Sequence, residues 1–323
     1  MKIVVDDKIP YIRGRVELLA DEVIYLTGST IGPGDVRDAD VLIIRTRTHC
    51  DRHLLEGSRV RLIVTATIGY DHLDTTYLEE AGIRWTNCPG CNATSVAQYV
   101  RNSLFVLERQ DIVHLREATV GIVGYGHVGK AVEKALRPYV KQFLINDPFL
   151  DFNDDVRRCD VVTLHTPLTY DGPHPTQHLI DGTFLHNVPH RPILINAARG
   201  GVVSEEALEA ALDEGRIRQA VIDTWEGEPH INRQLLGKVF IGTPHIAGYS
   251  ADGKANATRM ALQAVAKFCG KEAPDFHLPP LAPHLSTVDY ELSKYNPLDD
   301  SQRLKDNPGG FESQRGSYPI RRE

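Results

Sequence analysis

Three short stretches hold side chains suited to moving a proton and binding a negative charge. They are Asn196-Ala197-Ala198-Arg199-Gly200, Asp223–Pro229 (DTWEGEP) and Thr243–Tyr249 (TPHIAGY), and each follows a run of strand type. Ligands of open parallel sheets bind at such strand ends. Between them the stretches supply Arg199, Glu228 and His245. An imidazole titrates near neutrality and can accept a hydroxyl proton. A carboxylate beside it favours the protonated ring. A guanidinium pairs bidentately with a carboxylate and polarises a neighbouring oxygen. One of each would suit oxidation of a hydroxy acid, where the base takes the proton as hydride leaves the same carbon. Singly, each has an ordinary explanation. The chain has fourteen histidines, and an arginine or glutamate after a strand is commonly a surface charge. Residue types alone leave the trio undecided.

The element that would position a second reactant is clearer. Thr119–Asp147 reads TVGIVGYGHVGKAVEKALRPYVKQFLIND. A strand-type run leads into Gly124, Gly126 and Gly129 in GxGxxG spacing, with His127 and Val128 between the last two glycines. A helical pattern and a second strand follow, closing on Asp147, eighteen residues past Gly129. The first glycine permits the tight turn, the second lets a pyrophosphate approach, and the third lets helix pack on strand. The helix N-terminus offers free N–H groups to phosphates. Asp147 can accept the ribose hydroxyls, and it would repel a 2′-phosphate, so NAD is expected as cofactor rather than NADP.

Around these sites, strands alternate with helices, which implies parallel sheets. Strands are expected at 3–7, 41–47, 62–66 and 83–86, with a helix over 10–20 behind Pro10. A helical period at Val96, Val100, Leu104 and Leu107 bridges into the glycine-rich unit. Ser204 caps a helix at 205–214. A long helix at 251–269 is expected to cross back to the first unit. The fold class is α/β: two Rossmann-like or flavodoxin-like parallel-sheet domains with a cleft between them, plus a short C-terminal extension. Residues 1–91 with 252–270 would form one domain, 92–251 the NAD-binding domain, and 271–323 a short C-terminal segment. That last segment is polar with little helical period. It reads either as a partly ordered tail or as an oligomer contact anchored by Leu298, Leu304, Phe311, Tyr318 and Ile320.

Bulk properties narrow the classes. A net charge of −7 without a basic stripe argues against nucleic acid as partner. No run approaches the roughly 18 apolar residues of a membrane span. The start, MKIVVDDKIP, is too short and acidic for a signal peptide and reads as a buried strand. With five cysteines, an odd number, a cytoplasmic location is expected. Cys88-Pro-Gly-Cys91 is a lone CxxC at a strand-to-helix turn, without the second ligand pair a zinc site needs, so no metal is expected.

Taken together, Gly124–Gly129 with Asp147, Asn196–Gly201, Asp223–Pro229 and Pro244–Gly248 resemble, in order, the motifs of the NAD-dependent D-2-hydroxyacid dehydrogenases. The resemblance covers about residues 1–270. It implies that Arg199 binds the substrate carboxylate and oxo group, that His245 accepts the proton in oxidation, and that Glu228 holds and tunes it. It implies cofactor contacts at Thr166, Ala198, Asp223 and Gly248, and substrate contacts at Thr46, Thr67 and Tyr249. Ala198 stands where the family often has cysteine. The resemblance implies that the domain of 1–91 with 252–270 is a substrate-binding lid, that 271–323 is a dimerisation segment and the protein a homodimer, and that the substrate is a phosphorylated 2-hydroxy acid. Such a substrate has two anionic ends. Arg45 and Arg47, at i and i+2 of an expected strand, share a face and could meet the phosphate; Arg321 or Arg322 of a partner subunit is a further candidate. Rival readings are a related dehydrogenase of another small 2-hydroxy acid and a non-catalytic NAD-sensing protein of the same fold.

Overall fold

Near-continuous runs of Val, Ile and Leu need cover on both faces, as parallel sheets provide. A computed structural model of the chain, describing residues 1–281 and 287–323, shows two such sheets. The chain divides into two units, 1–92 with 250–282 and 93–249 with 283–323.

In the first unit β1 (Lys2–Asp6), β2 (Glu22–Leu26), β3 (Val41–Ile44), β4 (Leu62–Thr65) and β5 (Arg84–Thr86) form a five-stranded sheet in the order β2-β1-β3-β4-β5. All pairings are parallel, with Val4 opposite both Ile24 and Leu42. Alternate residues serve opposite cores. Ile3, Val5, Val41, Ile43, Leu62 and Val64 face one, and Val4, Leu42, Ile44 and Ile63 the other. The connections carry α1 (Pro33–Val36), α2 (Arg52–Leu55) and α3 (Thr75–Glu80). A long helix, α9 (Ala251–Cys269), covers the first core with Ala255, Ala261, Leu262 and Val265. Ser250 caps its start, Oγ accepting from Gly253 N at 2.8 Å, and Gly270 ends it at φ 68°.

Two expectations in this unit need correction. Residues 10–20 form turns and one short 3-10 segment, Val16–Leu18, instead of a helix. Tyr11 and Gly14 both take positive φ, which breaks any helical run. The third strand stops at Ile44, so Arg45 and Arg47 lie in the turn beyond it and do not share a pleated face. Buried Asp6 accounts for the break: its carboxylate takes the Arg45 guanidinium bidentately, at 3.0 and 3.1 Å.

The second unit opens with α4 (Ala93–Arg109). Strands β6 (Thr119–Val123), β7 (Gln142–Asp147), β8 (Phe152–Asn153), β9 (Val161–Leu164), β10 (Ile193–Asn196), β11 (Gln219–Ile222) and β12 (Ile241–Gly242) form one sheet, ordered β12-β11-β10-β9-β6-β7-β8. Only the β7–β8 pairing is antiparallel. The order reverses at β6, since β7 lies on one side of it and β9 on the other. A crevice for ligands opens at such a point. Helices α5 (His127–Leu136), α6 (Gly182–His186), α7 (Glu205–Asp213) and α8 (Arg233–Lys238) make the crossovers. Ser204 Oγ caps α7 from Ala207 N, as the sequence predicts.

Of the segment read as a tail or oligomer contact, residues 287–323 are folded onto this unit, while 271–281 belong to the first. The part on this unit forms α10 (Val288–Lys294), α11 (Pro297–Asp306) and α12 (Phe311–Gly316), while 282–286, with Pro283, lie outside the described residues. Leu304 and Phe311, 0% and 1% exposed, are buried in the chain's own core instead of waiting for a partner. Each helix is short, so no period builds up, but α10 and α11 carry caps at Thr287 and Asn296. Asn102 of α4 donates to the carbonyls of Glu291 and Tyr295, which docks α10.

Candidate active site

The carboxyl ends of the neighbouring strands β10, β11 and β12 carry Arg199, Glu228 and His245. After β10, Asn196 builds the turn. Its Oδ1 accepts from Ala198 N at 3.2 Å, and its Nδ2 donates to the carbonyls of Arg199 and Thr224. The half-buried Arg199 side chain leaves that turn, with Nη1 on Ala198 O at 2.9 Å.

After β11 the chain runs into Glu228. One oxygen, Oε2, meets His245 Nδ1 at 2.8 Å, and the other accepts from Trp225 N at 2.9 Å. Burial pushes this carboxyl up, but the histidine hydrogen bond and charge, the Trp225 amide and the Arg315 charge outweigh it and hold it below the usual range. Glu228 is therefore an anion fixed on one ring nitrogen, which leaves Nε2 for chemistry. The Trp225 indole is also fixed, Nε1 donating to Thr243 O at 2.9 Å.

His245 sits in the left-handed region at φ 56°. A non-glycine residue holds that conformation only when its surroundings over-determine it. Here the main determinant is Asp223, 1% exposed. Its Oδ1 accepts from Thr243 Oγ1 at 2.6 Å and Ile246 N at 2.8 Å, and Oδ2 accepts from Ala247 N at 2.9 Å. Burial pushes its carboxyl up against these lowering contacts. Thr243 Oγ1 also meets Tyr99 Oη at 2.8 Å, so a buried chain runs from α4 to the His245 loop. Two other histidines are unsuited to the task. Burial pushes His165 down to about 3 and His72 to about 4, so both are neutral rings.

The glycine-rich turn leaves β6. Gly124 has φ 85°, and a Cβ there would lie 2.8 Å from His165 backbone. A Cβ on Gly129 would come to 2.2 Å from Gly124 O, so the helix packs on the turn only with glycine. No side chain caps α5, where His127 and Val128 lie in the first turn. Asp147 ends β7 and accepts from Tyr125 N at 2.7 Å and Phe149 N at 3.2 Å.

Comparisons with known proteins agree with this architecture. Residues 92–247 match the family described as "D-isomer specific 2-hydroxyacid dehydrogenase, NAD binding domain". The chain is 50% identical over 339 residues to erythronate-4-phosphate dehydrogenase of Bacteroides fragilis, covering 100% of this chain and 97% of that protein. The chain belongs to the erythronate-4-phosphate dehydrogenase family of D-2-hydroxyacid dehydrogenases. The Bacteroides thetaiotaomicron member is 48% identical over 338 residues, with 100% and 97% covered. Among solved structures, NAD+-bound 3-phosphoglycerate dehydrogenase of Entamoeba histolytica matches with a TM-score of 0.70 at 25% identity, covering 83% of this chain and 94% of that one. This dehydrogenase is an NAD-dependent oxidoreductase.

The residues present fit NAD. A Cβ on Gly126 would meet only open space, as a cradle for a pyrophosphate requires. Thr166 Oγ1, after β9 and beside the reversal point, is buried with no hydrogen-bond partner among the described residues. Ala198, Asp223 and Gly248 lie at the neighbouring strand ends, though the Asp223 carboxylate already serves the 243–247 loop.

The expected substrate residues fall in both units. Thr46 and Arg47 are exposed in the turn after β3. Thr67 Oγ1 meets Thr65 Oγ1 at 2.7 Å and donates to Gly69 O at 2.9 Å. Tyr249, in the second unit, has its hydroxyl 3.2 Å from Arg315 Nε. The sequence reading passed over Lys254, in the first turn of α9. Burial, then the charge of Arg45, pushes this ammonium down, which places two cations of the first unit in one neighbourhood. It also passed over Tyr99, Thr243 and Arg315. Thr243 stands in a quoted motif, but Tyr99 and Arg315 carry no local signal. Arg321, considered as a partner subunit's contact, is buried within its own chain.

No helix among the described residues is long and apolar enough to cross a membrane. Cys88 is buried, with Sγ near Thr65 O and Ala257 O, and burial pushes the thiol up.

Proposed function

We propose that this dehydrogenase oxidises 4-phospho-D-erythronate to its 2-oxo acid phosphate with NAD, in pyridoxal phosphate biosynthesis. The observation that carries the reading is the Glu228–His245 pair at 2.8 Å, in a chain 50% identical over its whole length to a protein named for that substrate.

His245 Nε2 takes the proton of the 2-hydroxyl, while Glu228 keeps Nδ1 protonated and balances the ring charge. Arg199 binds the substrate carboxylate and steadies the oxygen that becomes a carbonyl. Bound NAD supplies the hydride acceptor. Gly124, Gly126, His127, Val128, Gly129, Asp147, Thr166, Ala198, Asp223 and Gly248 hold it. Thr46, Arg47, Thr67 and Tyr249 bind the rest of the substrate. Arg45, already paired with Asp6, contributes at longer range with Lys254. The protein works as a homodimer in the cytoplasm.

The test is NAD reduction by purified protein with 4-phosphoerythronate, 3-phosphoglycerate and D-glycerate, with a 2-oxo acid acceptor included to regenerate any retained cofactor. Preference for 4-phosphoerythronate, lost in His245→Ala, is expected. Preference for 3-phosphoglycerate would replace the substrate and leave the chemistry standing.

A further inference from the structure

Arg321 is 9% exposed and follows α12. Its guanidinium reaches two consecutive carbonyls of the catalytic loop, Nη1 to Ile246 O at 3.2 Å and Nη2 to Ala247 O at 2.5 Å. The amides of the same two residues donate to Asp223. The peptide groups just after His245 are thus gripped from two sides, N–H by a buried anion and C=O by a buried cation. The remaining donors run to α4: Nε to Gln98 Oε1 at 2.9 Å and Nη2 to Ser95 O at 3.4 Å. Nη1 also reaches Tyr318 Oη at 3.3 Å, and the guanidinium lies 4.0 Å over the Tyr295 ring.

We propose that Arg321 is a positioning residue for His245, its guanidinium clamping the Ile246 and Ala247 carbonyls so that the left-handed histidine stays against Glu228. The inference rests on the reading of His245 as proton acceptor. Taking a guanidinium out of water is costly, so its place here calls for more than filling space. What an apolar side chain lacks is a rigid fork reaching two successive carbonyls and a helix at once. An ammonium lacks it too. A neighbouring guanidinium reinforces the assembly, since Arg315 of α12 donates to Tyr249 Oη and its charge acts on Glu228.

Arg321→Lys and Arg321→Ala, made in the full chain, test this with kcat, KM, the pH profile of kcat/KM and the melting temperature. The expected result is a kcat loss of about tenfold or more in Arg321→Lys, with KM changed less than about threefold. The profile of kcat/KM should move by about half a pH unit or more. Millimolar methylguanidinium, and not methylammonium, should recover several-fold activity in Arg321→Ala. If that variant does not fold, the lysine variant's profile decides. Wild-type kcat and profile in the lysine variant would overturn the proposal. So would a loss of activity that follows melting temperature alone, with profile unmoved and no rescue. The underlying reading is checked separately by His245→Ala. If that variant keeps wild-type activity, the proton-acceptor role fails whatever Arg321 does.

Discussion

Glu228 accepts His245 Nδ1 at 2.8 Å with one oxygen and the Trp225 amide at 2.9 Å with the other, so the carboxylate that orients the imidazole is itself oriented by backbone. Glu228→Gln keeps the shape and can still hydrogen-bond, but removes the charge that balances a protonated ring. The expected outcome is a loss of about a hundredfold in kcat with KM for substrate little changed. Steady-state kinetics at several pH values checks it. An unchanged kcat would exclude the electrostatic role.

Thr243 links two buried groups, Tyr99 Oη at 2.8 Å and Asp223 Oδ1 at 2.6 Å. Thr243→Val leaves a phenol without its partner and removes a donor from a buried carboxylate. Denaturant unfolding should report a loss of about 1–3 kcal/mol. Tyr99→Phe should cost less, because it removes only the outer member of the chain.

Asp147 is held by the Tyr125 and Phe149 amides at the end of β7. Asp147→Ala should raise the KM for NAD by about ten- to a hundredfold, the worth of a charged hydrogen bond of about 1.5–3 kcal/mol. It should also narrow the preference for NAD over NADP. Initial rates with both cofactors measure this, and an unaltered preference would remove Asp147 from cofactor selection.

Glu205, at the start of α7, is pushed up to about 7, mainly by burial, with Glu226, Glu228 and Glu209 adding to the rise against the Glu226 amide that it accepts at 2.7 Å. Its folded value lies above the ordinary 4.5. Between those values the native state binds more protons than the unfolded one, so its contribution to stability falls as pH rises from 4.5 to about 7. Glu205→Gln should flatten that part of the stability profile and raise the melting temperature at pH 8. Thermal melts from pH 4.5 to 8 decide, and a variant less stable at pH 8 would contradict the burial argument.

Much of the second unit was legible because its signals are local. Glycine spacing after a strand, an acid closing the next one, and serine before a helix each need only neighbouring residues. Arg199, Glu228 and His245 stood out because each follows a strand, although nothing in their spacing reveals that Glu228 Oε2 meets His245 Nδ1. The turn after β3 was misread because Asp6, 39 positions before Arg45, pulls its guanidinium out of the strand's register. The helices of the C-terminal segment were not legible for a similar reason. They are too short for a period to show, and what holds them is remote. Arg321 finds its acceptors 74 and 75 positions earlier on the catalytic loop and more than 220 earlier on α4.

The strand order of the second sheet separates two tasks. The proposed cofactor residues of the glycine-rich turn, Asp147 and Thr166 follow β6, β7 and β9, and the proposed acid–base residues follow β10, β11 and β12, with Ala198, Asp223 and Gly248 lying where the two sets adjoin. The sheet therefore behaves as two adjoining modules on one frame. Exchanging the Asp147 turn should retune redox partner choice without rebuilding the acid–base pair, and new substrates can be recruited without surrendering the cofactor.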